Sequence, residues 1–132
     1  MQTIMALTLG LLVAGSASGD EKKKVLAGVI EHKDKVAFAK GTVIKITLAD
    51  VSRAGAPARV IAKKEILDAR EFPVKFELEY DPMAIQERLS YAIQVRIETE
   101  GKLKFINDTR IAVLTRGAPK TDVKVPVIAI QR

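Results

Sequence analysis

Cysteine and tryptophan are absent from the 132 residues, histidine occurs once, and aromatic residues make up only 5%. Each shortage closes off a chemistry. Without cysteine there is no disulfide, no thiolate nucleophile, no thiolate-bound zinc and no lipid-modified cysteine, so the fold rests on packing alone. With few aromatics, a hydrophobic share of 48% must be carried by Val, Ile, Leu and Ala, a content that excludes disorder and favours strands. Long apolar runs are scarce as well. IMALTLGLLV, Ile4 to Val13, is far shorter than the roughly 20 residues that a membrane-spanning helix needs.

What that run does suit is the apolar region of an export signal. Small residues follow it, Ala14 to Gly19, and two cleavage positions fit, after Ala17 or after Gly19. The stretch ahead of the run, Met1 to Thr3, carries no Lys or Arg. The expected organisation is a cleavable signal over 1–19, a charged linker over 20–24, and one domain over 25–132, in a protein that works in the periplasm or otherwise outside the cytoplasm. Every charged side chain lies at position 20 or later, so the exported part carries the whole net charge of +6. That excess permits weak attraction to anionic surfaces without specifying one.

From Val25 onward the hydrophobic period is two. In VKFELEY, Val74, Phe76, Leu78 and Tyr80 fall on one face and Lys75, Glu77 and Glu79 on the other, the pattern of a half-buried antiparallel strand. YAIQVRIE repeats it, with Tyr91, Ile93, Val95 and Ile97 inward. TEGK then places Gly101 where a tight turn wants positive φ, and Leu103 to Ile106 returns with Leu103 and Phe105 inward. Further strands are expected over Val25 to Glu31, Thr42 to Asp50, Ala58 to Leu67 (Val60, Ala62 and Ile66 inward), Arg110 to Leu114 and Val123 to Gln131. Only DPMAIQERLS breaks the rhythm: Asp81 suits an N-cap and Pro82 a first helical position, with Met83, Ile85 (or Gln86) and Leu89 on one side of a short helical turn within 82–89. The expected fold is all-β, a single-domain antiparallel β-sandwich of seven or eight strands with an immunoglobulin- or transthyretin-like arrangement.

Three spaced blocks carry a resemblance. TLADVSRAGAPARVIAKKEI, FPVKFELEYDPMAI and YAIQVRIETEGKLKFINDTRIAVLTRG, in that order, are similar to the YbaY family of bacterial lipoproteins, which includes the YscW-type lipoprotein chaperone, or pilotin, of type III secretion. The resemblance runs from Gly28 to about Ile130. It implies a small extracytoplasmic β-sandwich and, for the pilotin members, escort of a secretin subunit to the outer membrane. Family lipoproteins carry a cysteine just after the apolar run of the signal. This chain has VAGSASGD there, so no lipid anchor is expected.

Individual residues add no chemistry of their own. His32, in EHKDK, reads as an exposed turn histidine, since no second His and no Cys accompany it. Asp50 and Ser52 read as turn-starting hydrogen-bond acceptors, with Gly55 and Pro57 shaping the loop and Arg53 and Arg59 as solvated flanks. A nucleophilic Ser52 would need a base that the sequence does not place beside it. Asp81 as a cap and Asp108 as a turn residue outweigh a glycosidase-like pair. Phe76, Tyr80, Tyr91 and Phe105 all take the inward phase, leaving no exposed aromatic platform for nucleic acid. No catalytic, cofactor or metal residues and no cofactor are assigned.

The expectation is therefore a monomeric, non-catalytic, exported binding or structural module, with a pilotin-like secretin chaperone as the second reading and a hydrolase as the third. A partner, an envelope or secretin protein, would add a strand to a free sheet edge, with Val25 to Glu31 and Val123 to Gln131 as the candidate edges and Pro126 marking the latter.

Overall fold

The computed structural model describes residues 23–53 and 55–130, so the expected signal segment and most of the charged linker lie outside the described residues. Among the described residues nine strands follow one another: β1 Lys24–Glu31, β2 Thr42–Asp50, β3 Arg59–Ile66, β4 Val74–Tyr80, β5 Tyr91–Thr99, β6 Lys102–Ile106, β7 Ile111–Val113, β8 Val123–Pro126 and β9 Ile128–Ala129. Three of them form a small sheet in the order β4-β1-β8. The others form a larger one in the order β3-β2-β5-β6-β9, with β7 also paired to β5. All pairings are antiparallel except β1 with β8, which is parallel.

Alternation decides which face each strand buries. Val74, Phe76, Leu78 and Tyr80 of β4 are buried while Lys75, Glu77 and Glu79 are exposed, and β5 buries Tyr91, Ile93, Val95 and Ile97 in the same way. Ile44, Ile46 and Leu48 of β2 complete a core of aliphatic layers, closed from the small sheet by Leu26, Ile30, Val123 and Val125. Gly28 stands opposite Phe76 in the β1–β4 register. A Cβ there would meet the Val123 carbonyl and come within 2.8 Å of the Phe76 ring, so the absent side chain is what lets the ring lie on β1. The β5–β6 hairpin turns through Glu100 (φ 51°) and Gly101 (φ 81°), two consecutive left-handed residues of the kind a two-residue hairpin loop requires.

Four expectations are corrected. Val25 to Glu31 is the central strand of the small sheet, hydrogen-bonded on both sides, and offers no free edge. The single strand expected over Val123 to Gln131 is two, because after Pro126 the chain crosses from one sheet to the other, Val127 donating its N–H to the Glu31 carbonyl at 2.9 Å on the way. Val60 is 52% exposed, not inward, because a register shift at Leu48/Ala49 sets it opposite Ala49 after Ala62 has paired with Leu48. The helical turn shrinks to a 3-10 turn over Pro82–Ala84, and Met83 is 80% exposed while Ile85 and Leu89 pack on the core, so the three do not share a side.

Candidate binding site

Both sheets end on strands with one open side at the same edge of the sandwich. Among the described residues, β3 pairs only with β2 and β4 only with β1, and no ladder joins β3 to β4. Along these two strands runs a trough made of two grooves that share Lys64 and Glu77. The larger, about 850 Å³, reaches across the small sheet: Lys64, Ile66 and Asp68 border it on the β3 side, Lys75, Phe76 and Glu77 of β4 and the small residues Ala27, Gly28 and Val29 of β1 form its floor, and Asp122 and Lys124 border it at β8. The smaller, about 340 Å³, continues past Leu78 and Glu79 to Val25 and Lys23. Consecutive residues of both strands line it, Lys63 with Lys64 and Glu77 through Glu79, so the strand edges themselves, and not only one row of side chains, face the opening. Unpaired edges with an apolar floor and a charged rim can take an extended or amphipathic segment of another chain.

β3 defends this open edge by charge. Its exposed residues include Arg59, Lys63, Lys64 and Glu65, the composition that discourages indiscriminate strand pairing. The ion pairs among the described residues lie elsewhere, on the opposite face of the larger sheet, where Lys45 (3.2 Å) and Arg96 (3.5 Å) meet Glu98. The hydrogen bond from Lys45 is the main reason the Glu98 carboxyl is held below its ordinary range.

At one end of the sandwich, the residues singled out in the sequence form a loop clamp. The Ser52 hydroxyl donates to Asp50 Oδ1 at 2.6 Å and accepts the Ser90 N–H at 2.8 Å, tying the β2–β3 loop to the β4–β5 loop. Asp50 also accepts the Ser52 N–H at 2.9 Å. These two bonds, side chain first and backbone second, hold the Asp50 carboxyl below its ordinary value, with smaller help from the charges of Arg59 and Arg53. Asp81 accepts the Met83 N–H at 2.9 Å and caps the 3-10 turn, as expected of it. The clamp is completed by residues without a clear sequence signal: Thr115 donates to the Leu89 carbonyl, Arg116 to the Arg88 carbonyl at 3.3 Å, and Tyr91 Oη accepts the Gln86 N–H at 2.9 Å. Thr115 follows Leu114, whose φ of 73° and bridging bond from Thr115 N–H to the Val113 carbonyl (2.9 Å) make a γ-turn at a buried leucine.

His32 lies at the other end and is a correction to its reading as an exposed turn residue. It is half-buried, stacked on Phe72 at 5.2 Å and edge-on to Phe105 at 5.1 Å, while Phe38 closes on Phe72 at 4.8 Å. Its Nδ1 accepts the Asp34 N–H at 3.1 Å. The nine-residue strand β2 runs from the loop that follows His32 to the Asp50–Ser52 turn, so Ser52 and the imidazole stand at opposite ends and do not converge. Nor does Asp108 join Asp81. The side chain that organises its turn is the neighbouring Asn107, which accepts the Val95 N–H at 2.8 Å and donates to the carbonyls of Ile93 (3.2 Å) and Thr109 (3.0 Å), filling the gap on β5 between its β6 and β7 partners. Among the described residues, no three His, Asp or Glu side chains gather as cation ligands.

The fold and its open edge define a class, a small two-sheet β-sandwich with a trough between two unpaired strands. Comparison with known proteins narrows it. The profile of the family described as type III secretion system lipoprotein chaperone (YscW) matches residues 21–125, and the chain belongs to that family. It is 33% identical over 104 residues to a protein of Escherichia coli (strain K12) named uncharacterized lipoprotein YbaY, an alignment covering 77% of this chain and 55% of that protein. The chain thus spans about half the length of this relative. A solved structure, an alternative pilotin from the type II secretion system of Vibrio cholerae, is similar at a TM-score of 0.77 with 34% identity, covering 84% of this chain and all of that one.

Proposed function

We propose that this chain is a non-catalytic protein of the cell envelope, acting outside the cytoplasm as a pilotin-type chaperone that holds a segment of a secretin subunit in the β3–β4 trough. The observation that carries the reading is the trough itself: a groove lined by both β3 and β4, strands with one side open among the described residues, with Ala27, Gly28 and Val29 of β1 in its floor. Belonging to a lipoprotein-chaperone family and likeness to a type II pilotin support it. Because that structural relative serves a type II system, the narrower assignment to type III secretion is not carried over. Export through cleavage near Ala17 or Gly19 belongs to the same reading.

The test is made in cells that make both proteins. Deleting this chain should leave the secretin subunit out of the outer-membrane fraction, and the full-length gene should restore it. Ala27→Trp, which fills the trough from its half-buried floor, should be made and fold but fail to restore it. Secretin that reaches the outer membrane equally well without this chain would refute the proposal.

A further inference from the structure

One charge in the trough is out of place. Across the β2–β3 ladder, Ala62 pairs with Leu48, Lys64 with Ile46 and Ile66 with Ile44. Directly opposed residues of an antiparallel pair project to the same side, and Ile44, Ile46 and Leu48 are fully buried. Lys64 therefore occupies the core-facing phase of its strand, between Ala62 and Ile66, where the period-two pattern calls for an apolar residue. Lys64 is exposed because β3 is the last strand of its sheet, and it lines both grooves of the trough. Among the described residues it enters no ion pair. Other charges on the rim, such as Lys75, Glu77 and Glu79, take the solvent-facing phase, where charge is the default.

From this placement we infer that Lys64 is a specificity-determining residue of the trough, and that the partner segment is apolar with one carboxylate set to meet the Lys64 ammonium. The inference rests on the trough being the binding site proposed above. A segment lying between β3 and β4 would bury the Lys64 side chain, and an ammonium taken from water without a counter-charge is costly. A segment with an Asp or Glu at that point is accepted, whereas one with Lys or Arg is rejected by like-charge repulsion and one with only apolar residues leaves the ammonium unpaired. The same residue keeps the empty trough from collecting arbitrary apolar strands, the use of an inward-phase charge on an edge strand.

Short random peptides displayed on a particle surface and selected against the folded protein test this. Selection on the wild type should enrich Asp or Glu at one position of an otherwise apolar consensus. On Lys64→Glu the enriched residue at that position should become Lys or Arg, and the wild-type consensus peptide should bind Lys64→Glu at least about tenfold more weakly. Lys64→Met keeps the stem and removes the charge, and should bind with the acidic preference erased. Since the side chain is exposed, both variants should retain the wild-type circular dichroism and melting curve. Peptides that compete with one another, are blocked by Ala27→Trp, and show the same charge preference on all three proteins would overturn the role of Lys64 while leaving the trough as the site. Failure to select any peptide that Ala27→Trp blocks would overturn the trough reading and this inference together.

Discussion

The two ends of the sandwich are closed by opposite means. Around Ser52, three loops are joined by directional hydrogen bonds from short polar side chains, most of them reachable by water. Around Phe72, the closure is made by rings: three of the chain's four phenylalanines, Phe38, Phe72 and Phe105, and its only histidine pack on one another. Half of the chain's six Phe and Tyr residues thus meet at this end. The contrast teaches where stability resides: a buried ring contributes through the area it removes from water and the voids it fills, whereas an exposed hydrogen bond exchanges for one with water and contributes little net.

The largest expected difference between the ends therefore comes from Phe72→Ala. Phe72 is 2% exposed and touches the rings of His32, Phe38 and Phe105. Truncation should cost about 3–5 kcal/mol, as for other buried phenylalanines, enough to lower the denaturant midpoint by a large fraction of its value. A loss under 1 kcal/mol, read from urea unfolding, would mean that the aromatic end is not the anchor.

Among the short polar side chains of the clamp the strongest single effect is expected from Thr115→Val, because Thr115, unlike Asp50 and Ser52, is itself buried. The swap keeps the shape and leaves the Leu89 carbonyl without its donor, at a cost of about 1–3 kcal/mol. Ser52→Ala removes two bonds, but both lie in reach of solvent, so about 1 kcal/mol or less is expected. Thr115 and Ser52 grip adjacent carbonyl and amide groups of the same loop, at Leu89 and Ser90. Their double variant should depart from the sum of the single losses, since releasing the loop once spends much of what either bond holds. Simple additivity in unfolding free energies would show that the loop is fixed by something else.

How much of this was legible before the structure differs between the ends. The polar end was readable in part, because Asp50, Asp81 and Pro82 are turn-forming residues whose preference is local, whereas the tie from Ser52 to Ser90, 38 residues on, was not. The aromatic end was not, since Phe72 and Phe105 are far in the chain from each other and from His32 and Phe38, and only the sheet topology assembles them. The alternating strands followed directly from their pattern, β4 and β5 above all. Which strands are edges did not, because an edge is a property of the sheet order, and a terminal segment such as β1 reads the same whether it is central or free. The trough shares that fate. Lys64 is visible in the sequence as the gap in the expected inward row Val60, Ala62 and Ile66, but only the β2–β3 ladder, which removes Val60 from that row, and the groove lining show that the gap opens on the trough.

The smallest expected difference is a pH dependence of the Asp50–Ser52 bond at the polar end. Asp50 has its carboxyl held below its ordinary value by the Ser52 side chain, then by the Ser52 backbone, so the folded state binds the proton less readily than the unfolded chain does. A lowered folded-state value means the stabilisation is present at pH values above the unfolded carboxyl, near 4, and fades as pH falls through the folded value. Asp50→Asn keeps an acceptor oxygen for Ser52 but cannot ionise. It should therefore be slightly less stable than wild type at pH 7, by less than the Ser52→Ala loss, with the gap closing as the medium is acidified below pH 4. Thr115→Val, whose partner is the Leu89 carbonyl, should lose as much stability at pH 3 as at pH 7. Paired urea titrations of wild type and the two variants at both pH values check this. A gap for Asp50→Asn that widens in acid would show that Asp50 is stabilised as the neutral acid, and that the polar end is held by something other than a charge-assisted bond.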